Sequence, residues 1–162
     1  MIQKSIEITT NSAAETIDLG MKIGTSLTGG EVFALIGNLG TGKTHLIKGI
    51  ALGLEAHDSD QVSSPTFVLV NEYFGREGLI HIYHIDAYRM ESVAEFQRLG
   101  FDEYCRPDSV VLVEWADKVS DAVNAFDPIR IELSHVSETQ RKIAVGNVSD
   151  GIVQALSSKH SI

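Results

Sequence analysis

Residues Gly37-Asn38-Leu39-Gly40-Thr41-Gly42-Lys43-Thr44 fit the pattern G-x-x-x-x-G-K-[ST] without a mismatch, and no other run constrains this chain as much. Glycines let the backbone turn where a Cβ would clash, so consecutive N–H groups can converge on an anion. Lys43 adds a cation for the β- and γ-phosphates of a nucleotide, and the Thr44 hydroxyl suits a magnesium ion. The flanks support this reading. Glu31-Val-Phe-Ala-Leu-Ile36 is a short apolar run expected to form a buried strand, and Leu46, Ile47, Ile50 and Leu54 recur at helical spacing. Strand, glycine loop and helix together aim a helix N-terminus at a phosphate. Nucleotide and magnesium are therefore expected at residues 39–44: Leu39, Gly40, Thr41, Gly42, Lys43 and Thr44.

The rest of the chain must form a fold around that loop. At 162 residues, 43% apolar and 22% charged, it is expected to be a single soluble domain over 1–162 with a real core. No apolar stretch reaches the length of a membrane span, and no secretory leader is visible. The lone Cys105 fits a reducing, cytoplasmic compartment and reads as a semi-buried side chain. A net charge of −9 opposes direct binding to a polyanion, so any service to RNA is expected to run through a protein partner.

Ser5 to Thr9 alternates as an edge strand does. Ser12-Ala-Ala-Glu15 is a capping box whose helix ends before Gly29-Gly30. Residues 55–64 read as a polar surface loop. Phe67 to Phe74 and Leu79 to Ile85 are strands joined by Gly75-Arg-Glu-Gly78, a hairpin signal that makes the sheet mixed. Ser92-Val-Ala-Glu95 opens a short helix, and Val110 to Val113 is an apolar strand. Ile129 to Leu133 and Lys142 to Val148 form a late hairpin, and Ser149-Asp150 caps a final helix. The predicted fold is a three-layer α/β P-loop domain with a mixed parallel/antiparallel sheet of about six or seven strands.

A phosphate loop needs an acid to hold or orient its metal. Val110-Val-Leu-Val113 leads into Glu114, which can bind magnesium directly or through water and can polarise the attacking water; a solvent-facing strand end is the plainer reading. Asp86, at the end of Ile80-His-Ile-Tyr-His-Ile85, is a second acid at a sheet edge, or else a turn residue. Ser63-Ser-Pro-Thr66 lies where nucleotide switches place a loop sensing the γ-phosphate, with Thr66 offering a hydroxyl; a plain proline turn is the alternative. Trp115 either packs in the core or stacks on nucleotide or partner. His81 and His84 fall on opposite faces of a strand and do not share a metal. The absence of an Asn-Lys-x-Asp stretch favours ATP over GTP.

Taken together, these blocks resemble the TsaE family (also called YjeE), small bacterial ATPases of tRNA threonylcarbamoyladenosine synthesis. G-N-L-G-T-G-K-T stands for the family's loop. Ser64-Pro-Thr-Phe67 with Val70-Asn-Glu-Tyr73, Tyr83-His-Ile-Asp-Ala-Tyr-Arg89, Leu99-Gly-Phe-Asp-Glu-Tyr104 and Glu114-Trp115 follow in the family's order. The departures are Asn38 for Asp, Ala87 for Leu and Ala116 for Pro. The resemblance implies that Lys43 and the loop amides hold the phosphates of ATP, and that Thr44 and Glu114 hold Mg2+. Asp86 would assist hydrolysis or the switch, with Thr66 on the switch loop. The turn near Ser12 and the late hairpin near Arg141 would flank the adenine. It further implies a TsaB–TsaD partner complex that performs the transfer to tRNA and is reset by ATP hydrolysis. Two rivals are a small P-loop kinase, whose lid arginines could come only from Arg89, Arg98 and Arg106, and a non-hydrolysing nucleotide-binding adaptor.

Overall fold

A computed structural model of the chain describes residues 4–56 and 70–157. The expected switch segment Ser63–Thr66, most of the 55–64 loop and the start of the Phe67 strand lie outside the described residues.

Seven strands form one sheet in the order β1-β7-β6-β2-β5-β4-β3. They are β1 (Ser5–Thr10), β2 (Val32–Ile36), β3 (Val70–Gly75), β4 (Ile80–Asp86), β5 (Ser109–Glu114), β6 (Ile129–His135) and β7 (Arg141–Gly146). The central four, β6-β2-β5-β4, run parallel, and the flanking pairs β1/β7, β7/β6 and β4/β3 are antiparallel. This is the mixed sheet expected from the Gly75–Gly78 hairpin, whose turn is a 3-10 segment over Arg76–Gly78. The second predicted hairpin is also present, although its return strand stops at Gly146. Val148 instead gives its N–H to Lys4 O at 3.3 Å and joins the core.

The central strands are covered on both faces, so β2 and the Val110–Val113 run of β5 are continuously apolar instead of alternating. The pleat divides their side chains between two cores. Phe33, Leu35, Val110 and Leu112 face α1 (Ala13–Ser26), α2 (Lys43–Gly53) and α6 (Asp150–Ser157). Val32, Ala34, Val111 and Val113 face α3 (Val93–Arg98), α4 (Phe101–Tyr104) and α5 (Ser120–Val123). The outer antiparallel strands keep the alternation of a sheet with one wet face.

Both predicted capping boxes form with a shifted return bond. Ser12 Oγ accepts from Glu15 N–H at 3.1 Å, and Glu15 Oε2 accepts from Asn11 N–H, one residue before the cap. Ser92 and Glu95 repeat this arrangement, with Glu91 as the donor. Ser149 Oγ accepts from Ile152 N–H at the start of α6.

A glycine-lined contact fixes α2, the helix behind the phosphate loop. Gly20 and Gly24 of α1 meet Gly49 and Gly53 of α2. A Cβ on Gly49 would sit 2.1 Å from Ile17 O, and one on Gly20 would sit 2.4 Å from Leu46 O. Two backbones touch here, and α1 holds α2 in one position under the sheet edge.

Candidate nucleotide site

Because β2, β5 and β4 are parallel neighbours, their carboxyl ends share one edge, the usual ligand-binding edge of an α/β sheet. β2 ends in the phosphate loop, β5 in Glu114 and β4 in Asp86. The register sets Asp86 directly beside Glu114, and Ala87 N–H donates to Glu114 O at 3.0 Å, fastening the two ends together.

The loop turns through left-handed backbone at Gly40 (φ 78°) and Gly42 (φ 99°), conformations that glycine adopts without penalty. Gly42 is the N-cap of α2 and supplies no side-chain acceptor, so the first amides of the helix keep their donors for a ligand. Thr41 turns inward, and its hydroxyl donates to Asn38 O at 2.8 Å. Lys43 folds back on its own loop, donating to Gly37 O and to Asn38 O. These bonds use the backbone carbonyl of Asn38 while its side chain is exposed, so the loop closes without the carboxylate of the family pattern. Burial holds the Lys43 ammonium below the ordinary lysine range, while the nearby carboxylates of Glu114, Asp86 and Asp117 pull it back up.

A cavity of about 390 Å³ opens over this edge, and its wall includes Leu39, Gly40, Lys43, Thr44, Asp86 and Glu114. Tyr88 and Trp115 also line it, their rings 4.9 Å apart. Trp115 sits between core and cavity. It packs partly against the α3–α5 core, and its ring lies 4.3 Å from Lys43 Nζ on the cavity side. Its left-handed backbone (φ 58°) is uncommon for a bulky residue and marks a sharp turn directly after Glu114. Asp86 is likewise both things at once. Its Oδ1 accepts from Tyr88 N–H at 2.9 Å as a turn residue, and its side chain also lines the cavity.

A second cavity of about 280 Å³ lies across the loop, walled by Ser12, Thr16, Gly40, Gly42, Glu138 and Arg141, among others. The two segments that the family resemblance set beside the adenine therefore do converge. Arg141 donates to Ser137 O, Glu138 O and Gln140 O in its own turn and reaches Gly40 O at 3.4 Å. Gln140 Nε2 donates to Asn11 Oδ1 at 2.8 Å, joining the hairpin to the N-terminal turn. Of the predicted site residues, only Thr66 falls outside the described residues.

Two residues escaped sequence reasoning. His45 lines both cavities; its position directly after Thr44, in the first turn of α2, was the available signal. His84 Nε2 lies 2.7 Å from Glu114 Oε2 in a buried pair. The two-residue step from His84 to Asp86 puts both on one face, but finding Glu114 there needs the β4–β5 register.

One of the three arginines that a kinase lid could draw on is far from this edge. Arg106 precedes β5, at the far end of the sheet, and is held by Tyr83 Oη at 3.0 Å and by Asp108. Among the described residues, no arginine lines the larger cavity. Also among them, no helix is long and apolar enough to cross a membrane.

Sequence comparison agrees with this architecture. The profile of the family described as "Threonylcarbamoyl adenosine biosynthesis protein TsaE" matches residues 10–143. The chain is 38% identical over 136 residues to the tRNA threonylcarbamoyladenosine biosynthesis protein TsaE of Bacillus subtilis, covering 82% of each. It is 34% identical to the TsaE of Treponema pallidum, covering 83% of this chain and 95% of that one. The crystal structure of Bacillus subtilis YdiB superposes with a TM-score of 0.71 at 28% identity, over 96% of this chain and 94% of the other. With the loop, the mixed sheet and both acidic strand ends already in place, the chain belongs to the TsaE family of tRNA threonylcarbamoyladenosine biosynthesis.

Proposed function

We propose that this protein is a magnesium-dependent ATPase whose hydrolysis cycle resets a TsaB–TsaD complex, which carries out the modification of tRNA beside the anticodon. One observation carries this reading: Lys43, Thr44, Asp86 and Glu114 converge from three elements on one cavity at the carboxyl edge of the sheet. In this reading the phosphates occupy the larger cavity and the base the smaller one, with Gly40 and Gly42 common to both walls.

The donor set fits magnesium, a hard cation usually held by one or two carboxylates together with substrate phosphates. The Thr44 hydroxyl and a Glu114 oxygen would hold it, and bound there it would neutralise charge on the phosphate oxygens. The chain's own groups do the remaining work. The free amides at the start of α2 donate to phosphate oxygens, and the Lys43 ammonium exchanges the carbonyls of Gly37 and Asn38 for them, a stronger charge-assisted contact. Asp86 and Glu114 accept hydrogen bonds from the attacking water and orient it. Tyr88 and Trp115 wall off solvent.

Lys43 is the one Lys or Arg lining the larger cavity among the described residues. Charge spreads over the γ-phosphate oxygens as the phosphoryl group moves, and an arginine there is worth roughly 10³–10⁵ in rate. Turnover by the isolated chain is therefore slow, and a partner supplies the missing cation. The net charge of −9 suits docking on a protein better than gripping tRNA, and the task is cytoplasmic. ATP turnover measured alone and then with TsaB and TsaD tests this. The rate rises with the partners; an unchanged rate contradicts regulated hydrolysis, and transfer of phosphate to a metabolite without partners favours a kinase.

A further inference from the structure

The buried pair at the floor of the cavity has a chemical asymmetry. His84 is 0% exposed and Glu114 3%. His84 stands opposite Leu112 in the β4–β5 register, so its ring reaches diagonally past that residue to Glu114. A carboxylate oxygen accepts, so the hydrogen is on Nε2. The other ring nitrogen, Nδ1, is buried and has no hydrogen-bond partner among the described residues. On that face of β4 the preceding residues are Ile80 and Ile82, both in the α1–α2 core, and an aliphatic side chain would fill the position of His84 without an orphaned nitrogen. Among the described residues, the polar side chain that His84 serves is Glu114, through Oε2, and Lys43 is occupied with its own loop.

We propose that His84 is a positioning residue. Its Nε2–H holds Oε2 of Glu114 so that Oε1 is presented to the cavity, fixing the carboxylate in one orientation before any ligand arrives. This rests on the reading of the cavity as a magnesium–ATP site. It assigns the histidine of the Tyr83-His-Ile-Asp-Ala-Tyr-Arg89 block to Glu114 on the neighbouring strand, separately from Asp86. A buried carboxylate without its donor would be free to turn towards Lys43, and the preset orientation would be lost.

Two variants of the full chain separate positioning from mere filling of space. His84→Phe keeps a ring and removes the donor. His84→Gln keeps an N–H donor near Nε2. Trp115 is the chain's one tryptophan and adjoins Lys43, so its fluorescence reports nucleotide binding. His84→Phe is expected to lower kcat about 10- to 100-fold and to weaken the Mg2+-dependent part of ATP affinity, with metal-free ATP affinity unchanged. His84→Gln recovers a substantial part of both. A folded His84→Phe protein with native kcat and Mg2+ dependence overturns the proposal, as does equal impairment in the two variants. If His84→Phe does not fold, NMR of the native protein labelled with ¹⁵N-histidine decides. One slowly exchanging Nε2-bound proton that shifts in Glu114→Gln supports the proposal, and its absence overturns it. Failure of the native chain to bind Mg·ATP would count against the site reading instead; the same NMR proton would then still decide whether His84 holds Glu114.

Discussion

The glycine seam between α1 and α2 gives the sharpest structural prediction, with Gly49→Ala as the perturbation. The added methyl would lie 2.1 Å from Ile17 O and 2.9 Å from Gly20 Cα. A carbon–oxygen contact settles near about 3.3 Å, so the helices must part by about 1 Å. Overpacking costs about 1–3 kcal/mol, and here the obstructing atoms are backbone that no rotamer can move, which points to about 3. Alanine returns up to about 1 kcal/mol of helix propensity. The net loss is about 2 kcal/mol, or a fall in Tm of about 4–8 °C for a chain this size. Because α2 begins at Lys43, the same displacement also weakens nucleotide binding. Thermal unfolding followed by circular dichroism measures the effect. Gly151→Ala is the control. It lies in α6, its Cβ would meet nothing closer than 3.7 Å, and the change stabilises by about 0.5–1 kcal/mol. If Gly49→Ala melts at or above the native temperature, the account of the seam is wrong.

Lys43→Ala removes the buried cation from the loop and is expected to weaken ATP binding about 10- to 100-fold by calorimetry; native affinity would strike Lys43 from the site. Asp86→Asn keeps an Oδ1 acceptor for Tyr88 N–H but loses the charge, so turnover should fall more than affinity while Tm holds. Equal loss of turnover and affinity would make Asp86 a binding group. Burial, with Asp102 adding to it, pushes the Cys105 thiol up to about 12. At about pH 8 the thiolate fraction is then about 10⁻⁴, against about a quarter for a free thiol. Alkylation by iodoacetamide should be about 10³-fold slower in the folded protein than in urea, and comparable rates would refute the burial argument.

What could be read from the sequence was local. The loop with its flanking strand and helix is one continuous stretch, and the acid directly after Val110–Val113 is another, so each is carried by local spacing. The capping boxes at Ser12 and Ser92 are equally local. The hairpin turn at Gly75–Gly78 made the sheet mixed before any register was known. Around the Val110–Val113 strand, residues 101–104 and 116–126 were not legible as structure, because α4, α5 and the 3-10 turns on either side of α5 are single turns, too short to show a period. They nevertheless cover the second face of β2, β5 and β4. Gly20, Gly24, Gly49 and Gly53 look like weak points in two helices until the helices are brought together. The His84–Glu114 contact needs the parallel register of β4 and β5, which no window along one strand contains.

The central claim is that the cavity between the phosphate loop and the two acidic strand ends hydrolyses Mg·ATP. Single-turnover hydrolysis by native protein and Glu114→Gln, each saturated with ATP and supplied with TsaB and TsaD, tests it most directly. Glu114→Gln preserves shape and removes the charge of a side chain on the cavity wall. The account predicts that the variant still binds ATP, as read by Trp115 fluorescence, while hydrolysis falls at least about 100-fold, the range seen when one preorganised electrostatic group is lost. Hydrolysis at the native rate by Glu114→Gln would contradict it.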